Sequence, residues 1–457
     1  MNPITRFPLR GSSLGRSLLL LFVVLGCLGV SAADLESDVR AASEKANSIT
    51  AVLERLAEDG EVSKANDRLL ALFPEATRTP AETLMLGNML YNLDSKLSYA
   101  LHKEAFGKLP HEPLVLMEWA MEQQRAGEYN GALQAYNEHS RTYPEYAPVH
   151  GLAADCLIRL GKTKEAVARW KQSENASLGT LVELESLVCA VYFVPGQAQR
   201  RATLRAAAQK GGDVDAAVRL IALDGRFERD WWNNGPQRSY LARDLAVLRK
   251  MPPSPRIKAA LCVGDCLLPE QPTKTALLQI LVRHGFLVDP DKTLPADGAL
   301  ASLLLGVAMD SKVMGRDQAR EEFGAKLLAS GKASKDVELL NIAANLNSGT
   351  AAMEEIEKQA WELTGDRRFA AGYLIELMAN KKLKPNDPLL DKAMKQFAED
   401  ATILYVAIQS NPSPSQELLV SGIKAEYRHF SASTGLLSRL GAQTLRSYFK
   451  RLEKLQQ

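Results

Sequence analysis

Cys262 and Cys266 are the residues in this sequence best placed for metal or redox chemistry. Cys262-Val263-Gly264-Asp265-Cys266 sets two thiols one helical turn apart with a carboxylate beside them. Soft thiolates at that spacing can hold copper or cycle as a redox pair. No proline follows Cys266 and no histidine stands near to complete a soft-metal site, so two thiols sharing one buried helix face is the plainer reading. His102, His111, His139, His150, His284 and His429 are scattered, and no H-E-x-x-H occurs. Gly11-Ser12-Ser13-Leu14-Gly15 matches a nucleophile elbow, which needs a strand before it and a helix after it. Here it falls in a segment expected to be discarded. Gly161-Lys162-Thr163 looks like the end of a phosphate loop, but Cys156 stands where the first glycine of that loop belongs. No catalytic set is identified, and neither an enzyme nor a bound cofactor is expected.

What must position these residues is a set of helices. Reading 113–180 twice, with an offset of 34, pairs Arg125 with Arg159, Gly127 with Gly161, Ala132 with Ala166, Leu133 with Val167 and Tyr136 with Trp170. A turn glycine, a small residue and a large aromatic at one fixed period form an internal repeat. Residues 114–126 and 130–141 have helical apolar spacing. Gly127 breaks the chain between them, Pro144 ends the second helix, and Pro148 suits the first turn of the next.

These residues resemble the tetratricopeptide repeat (TPR) family. Residues 113–146 match through Trp119, Ala120, Gly127, Tyr129, Ala132, Tyr136 and Pro144. Residues 147–180 match through Ala153, Ala154, Gly161, Ala166 and Trp170, without the terminal proline. Residues 80–112 are a looser copy with Tyr99 where a small residue belongs, and 46–79 form a possible fourth around Gly60, Ala65 and Pro74. The resemblance implies a right-handed α-solenoid of stacked antiparallel helix pairs. It also implies a concave groove lined by first-helix side chains. By register these are Asn88, Tyr91, Met117, Met121, Gln124, Arg125, Asp155, Ile158 and Arg159. Arg125 and Arg159 would contact acidic groups of an extended peptide, or serve as cations near their helix C-termini. Family members that grip a chaperone's C-terminal carboxylate carry Lys, Asn and Arg in the groove. Here Leu84, Met117 and Met121 take several of those places, and only Asn88 agrees.

Beyond 180 the helical spacing continues while the repeat signature fades. Leu181–Tyr192, Ala202–Lys210 and Val214–Leu223 read as helices. Prolines at 252, 253, 255, 269 and 272 mark a boundary near 250. Asp387-Pro388 reads as an N-cap and first helical position, and Gln443–Lys454 as an amphipathic last helix. Its Leu445, Tyr448, Phe449 and Leu452 should face inward and Arg446, Lys450, Arg451 and Lys454 outward, as a solenoid cap or a membrane-surface helix. Trp231-Trp232 offers one ring to a partner surface or to the core. Cys156 and Cys189 fall one repeat apart, on helix axes about 8–10 Å from each other, and read as buried thiols rather than a disulfide. The whole is expected to be all-α, with a TPR-like domain over 33–250 and a divergent helical-repeat domain over 251–457.

The first 32 residues read as an address. Arg6, Arg10 and Arg16 precede an apolar run from Leu18 to Val30, and Val30-Ser31-Ala32 supplies a small-residue exit before Ala33. That is the form of a secretory signal peptide. The run is short of the roughly 20 residues that span a bilayer. An uncleaved anchor is one alternative. Lipidation at Cys27 through Val24-Leu25-Gly26-Cys27 is another. The formal charge of +2 over 457 residues excludes a protein that coats nucleic acid. Without the three leader arginines, one carboxylate is in excess. The sequence therefore points to an exported, periplasmic or extracellular scaffold. Its partner would be a protein or peptide of the cell envelope, with no nucleic acid and no membrane span in the mature chain, and with self-association open. The competing reading is a metal or redox carrier using Cys262 and Cys266.

Overall fold

The computed structural model describes residues 61–90, 94–144, 149–173, 195–229, 236–269, 273–285, 298–310, 312–385, 387–432 and 439–457, with scattered positions between 35 and 56. The leader with Cys27, and Tyr91, Pro148, Leu181–Tyr192, Cys189 and Trp231-Trp232, lie outside the described residues. Among the described residues regular structure is helical throughout, and no helix is long and apolar enough to cross a membrane.

The chain forms two compact units. The first takes residues 1–56, 62–194 and 415–457; the second takes 57–61 and 195–414. The first holds α1 (Val62–Leu72), α2 (Pro80–Leu90), α3 (Ser95–Lys108), α4 (Pro113–Arg125), α5 (Tyr129–Thr142), α6 (Val149–Arg159) and α7 (Thr163–Ser173). The second holds α8 (Pro195–Gly211), α9 (Val214–Arg229), α10 (Pro236–Leu248), α11 (Pro255–Leu267), α12 (Lys274–Arg283) and α13 (Gly298–Asp310). There follow α14 (Arg316–Ala319), a π turn over Arg320–Gly324, α15 (Ala325–Ser334), α16 (Val337–Leu346) and α17 (Ala351–Thr364). It ends with α18 (Arg367–Ala379), α19 (Pro388–Gln396) and α20 (Ala401–Ser410). The chain then returns to the first unit as α21 (Gln416–Ala432) and α22 (Arg439–Gln456).

In the first unit α2 pairs with α3, α4 with α5, and α6 with α7, and each pair stacks on the next. The repeat residues do what their types require. Ala132 and Ala166 are wholly buried where the helices approach, and Tyr136 and Trp170 fill the space beside them. Gly127 and Gly161 take φ of 80° and 76°. Each then turns the chain with the same two bonds, Gly127 N to Gln124 O and Glu128 N to Gln123 O, repeated as Gly161 N to Ile158 O and Lys162 N to Leu157 O. That left-handed turn satisfies the last carbonyls of the first helix and is nearly free only for glycine. Tyr99, which departs from the family pattern, has its own task. Its ring meets Trp119 edge-on at 5.1 Å, and its hydroxyl donates to Glu128 at 2.7 Å.

Two cores hold the earlier helices of the second unit. One joins α8 to α13, from Ala208 and Ala217 through Leu245, Ile257 and Val263 to Leu304. The other joins α13 to α16 around Leu305, Phe323 and Leu339. The expected domain boundary near 250 does not divide these helices. Leu245 and Leu248 before the prolines, and Ile257 and Ala260 after them, share one core. The prolines only set the loop and the start of α11, where Ser254 caps Ile257 N at 3.2 Å. The ion pair of Arg205 with Asp244 is buried and two-pronged, at 2.5 and 3.1 Å. Such a fork offsets the cost of burying two charges. Helix starts are written by side chains. Asp336, Asp366, Asp387 and Asp400 each accept from a backbone N–H of the first turn.

Candidate partner-binding face of the helical repeats

The first helices α2, α4 and α6 carry the residues expected to line a groove, and the structure sorts them into three groups. Arg125 is exposed, Asn88, Met121, Gln124 and Arg159 are half-buried, and Met117, Asp155 and Ile158 are buried, at 1%, 2% and 0% exposure. Those last three therefore offer no open contact surface here. Asn88 spends its amide hydrogen on Leu84 O at 3.2 Å, one turn back.

The polar members are joined to each other. The Tyr136 hydroxyl donates to Gln124 Oε1 at 2.7 Å, and Gln124 Nε2 donates to Asp155 Oδ2 at 2.6 Å. Arg159 Nε lies 3.0 Å from both Asp155 oxygens, and its guanidinium sits 5.4 Å over the Tyr129 ring. A second chain runs from the Ser98 hydroxyl to Glu122 Oε1 at 3.2 Å, with Arg125 Nη1 on Glu122 Oε2 at 3.5 Å. These bonds tie one repeat to the next. Burial pushes the Asp155 carboxyl above the usual carboxylate range, against the pull of Arg159 and Gln124. Burial likewise pushes the His102 imidazole below its ordinary value. The recurring arginines are thus in part internal counterions, each beside a buried carboxylate on its own helix.

What covers α6 comes from far along the chain. The Tyr427 hydroxyl on α21 donates to Gly151 O on α6 at 2.8 Å, and Tyr427 is buried. The charge of Lys424, one turn earlier on α21, acts on Asp155. On the next helix the Phe449 ring stacks on Trp170, with centroids 4.6 Å apart and planes 7° from parallel. Lys171 pairs with Glu453 at 2.5 Å. Leu445, Tyr448, Phe449 and Leu452 are buried as the sequence pattern requires, and Arg446, Lys450 and Lys454 are exposed, with Arg451 half-buried. Sequence reasoning missed Lys424, Tyr427 and Phe449 as partners of the repeats. The available signal was the aromatic content of two helices that have no sequence neighbour to bury it.

On α2, on α4 and before the turn at Gly127, Asn88, Met121 and Arg125 form the accessible remnant of the expected groove. The cysteine pair lies elsewhere, on α11. Cys262 and Cys266 are free thiols, both buried. A hydrogen bond with the Cys266 thiol, together with burial, holds the Cys262 thiol well above its ordinary pKa. A thiol held protonated is a poor nucleophile and a poor metal ligand. Among the described residues no three His, Cys, Asp or Glu side chains converge in a geometry for a metal.

No family model matches the chain, and no curated protein matches it in sequence. Among solved structures it is similar to the TPR domain of P58(IPK), at 13% identity and a TM-score of 0.21, over 83% of this chain and 99% of that one. That likeness is loose, and the TPR-like assignment stands on the helix pairs, turns and buried repeat residues described above.

Proposed function

We propose that this chain is a non-catalytic TPR-type scaffold that works outside the cytoplasm and binds a protein or peptide partner of the cell envelope. The observation that carries this reading is the pair of 34-residue helical hairpins with matching glycine turns. Stacked hairpins of this kind present a continuous side-chain surface, and such arrays act by binding. The accessible strip of Asn88, Met121 and Arg125 combines an amide, an adaptable thioether and a cation. That mixture suits an extended peptide with an acidic group. The reading of export rests on the arginines, apolar run and small-residue exit of the first 32 residues.

The test is affinity capture from the envelope fraction of the source cell. The bait is the mature chain, compared with an Asn88→Glu/Met121→Glu variant whose helicity and unfolding midpoint are checked first. Partner recovery should fall at least tenfold in the variant. Equal recovery by both proteins would remove this strip as the binding face. N-terminal sequencing of the exported protein should begin at Ala33; a lipidated Cys27 or a retained leader would correct the export reading.

A further inference from the structure

A helix from the end of the chain lies where a ligand of the repeats is expected. Gly151, Asp155 and Ile158 follow one another at four- and three-residue steps, so they form one stripe of α6. Register assigns Asp155 and Ile158 to the concave groove, and both are buried. The helix that covers this stripe is α21. The Tyr427 hydroxyl donates to Gly151 O at 2.8 Å, using the lone pair that a helical carbonyl keeps beside its ladder bond. The charge of Lys424, three residues earlier, acts on Asp155. Burial, with Asp155 nearby, holds the Tyr427 phenol well above its ordinary pKa, so it stays a donor.

We propose that the α6 stripe is a further binding site of the scaffold, for a partner helix that carries a lysine and a tyrosine three residues apart, and that α21 holds this site shut until such a helix replaces it. The spacing selects a helix. Gly151 and Asp155 are one turn apart along α6, about 6 Å. Lys424 and Tyr427 are separated by about 4.5 Å along α21 and leave the same face of it. Residues three apart on an extended strand point to opposite faces, so a strand cannot present both. Asp155 sets the sign of the charge that the partner brings.

Three features make α21 replaceable. Its contacts with the stripe are a hydroxyl, an ammonium and a carboxylate, groups that exchange partners at small net cost. It also buries the carboxyl of Glu426, at 8% exposure, a cost that is relieved on release. The prolines at 412 and 414 keep α20 and α21 from running on as one helix, while α22 has its own anchor in the stack of Phe449 on Trp170. A tethered occupant makes the open site scarce, so an added helix binds with an affinity reduced by the fraction of chains that are open. The site rests on the scaffold reading above but not on the strip at Asn88, Met121 and Arg125.

The experiment adds a fluorescein-labelled peptide of residues 415–432 to the full mature chain. Anisotropy reads the binding, and mass spectrometry reads amide exchange in the chain, with the peptide in heavy isotope. Expected is saturable binding. At saturation, exchange in the chain's own residues 416–432 should rise about tenfold or more, with α4 and α5 unchanged. The peptide with Lys424→Ala and Tyr427→Phe should bind about tenfold more weakly, the order of one hydrogen bond and one charge contact. A chain with the same two changes should bind the unaltered peptide about tenfold more tightly, because its own helix competes less. If that chain unfolds, the peptide variants carry the test. No binding to the wild-type chain overturns the proposal. So does binding that leaves exchange over 416–432 unchanged, or binding indifferent to Lys424 and Tyr427 of the peptide. The Asn88→Glu/Met121→Glu chain should bind the peptide normally, so failure of the strip and failure of this site are read apart.

Discussion

The two units build helical hairpins from different local chemistry. In α4–α7 the turns rest on Gly127 and Gly161, and the helix starts at Glu112 and Glu128 have no side-chain cap. In the second unit glycine also turns the chain, at Gly212, Gly285, Gly349 and Gly365, but the left-handed positions after α15 and α18 are Lys335 and Lys381, at φ of 55° and 56°. There the helix starts are fixed by Asp336, Asp366, Asp387 and Asp400. The hairpin needs one residue at positive φ and satisfied terminal N–H groups, but it does not need a given residue type. The period is visible where a turn glycine, a small residue and an aromatic recur together, as at 127/132/136 and 161/166/170; where lysine makes the turn, the fold persists at a local cost of about 1–2 kcal/mol without that signature. Buried imidazoles mark the first unit, where His102 and His139 lie within the helix pairs alongside carboxylates such as Asp155, while the second unit hides Glu357, whose Oε2 has no hydrogen-bond partner among the described residues.

The largest effect expected from breaking this contrast is at Trp170, the repeat aromatic that α22 closes over. Trp170→Ala should lower the stability of the first unit by about 3–5 kcal/mol in a urea titration. Phe449→Ala should cost less, and the double variant less than the sum, because the two rings share one contact. Strict additivity would mean that α22 does not seal the repeat.

Acid and base should next separate the units. Burial, with His150 nearby, lowers the His139 pKa to about 4, from 6.5. The unfolded chain then binds that proton more readily. Stability from this group is whole above about pH 6.5 and is lost as pH falls toward 4. Burial, with Glu376 nearby, raises Glu357 to about 8 from 4.5. Its folded form holds the proton, so that contribution is whole below 4.5 and is lost as pH rises through 8. Glu426 on α21, raised to about 7 by burial, works against His139 inside the first unit. The contrast is therefore read with single variants followed across pH. His139→Phe should flatten the acid side of the stability curve. Glu357→Gln should gain about 1–3 kcal/mol at pH 8, the order of a buried unsatisfied polar group. An unchanged alkaline slope in Glu357→Gln would remove that group from the account.

The smallest and sharpest comparison exchanges the turn residues. Gly127→Ala should cost about 1 kcal/mol, and Lys335→Gly should gain about 0.5–1 kcal/mol, by denaturant midpoint. A loss at Lys335→Gly would show that the lysine side chain does more than occupy the turn.

The sequence made the repeats legible because Gly127, Ala132, Tyr136 and their partners at 161, 166 and 170 carry their reasons locally. The same holds for Asp387-Pro388 and for the two faces of α22. Contacts between distant segments have no such signal. Nothing periodic announces that Tyr427 will bond Gly151, or that residues before and after Pro252 share one core. The groove suffered most from this. Register alone placed Met117, Asp155 and Ile158 on an open face, and Asp155 instead anchors Gln124 and Arg159 beneath Tyr427 and Lys424.

The return of α21 and α22 also sets an order of events during synthesis. Tyr427 follows Gly151 by 276 residues. At about 5–20 residues per second, the ribosome needs roughly 15–55 s to cross that interval. For most of it the repeats are complete in sequence while the apolar surface around Trp170 stands uncovered. That is long compared with helix formation and within reach of proteases and holdases. A stop codon near residue 415 would spare every repeat residue and still leave the unit unfinished. The helices made last are the ones that close what was made first.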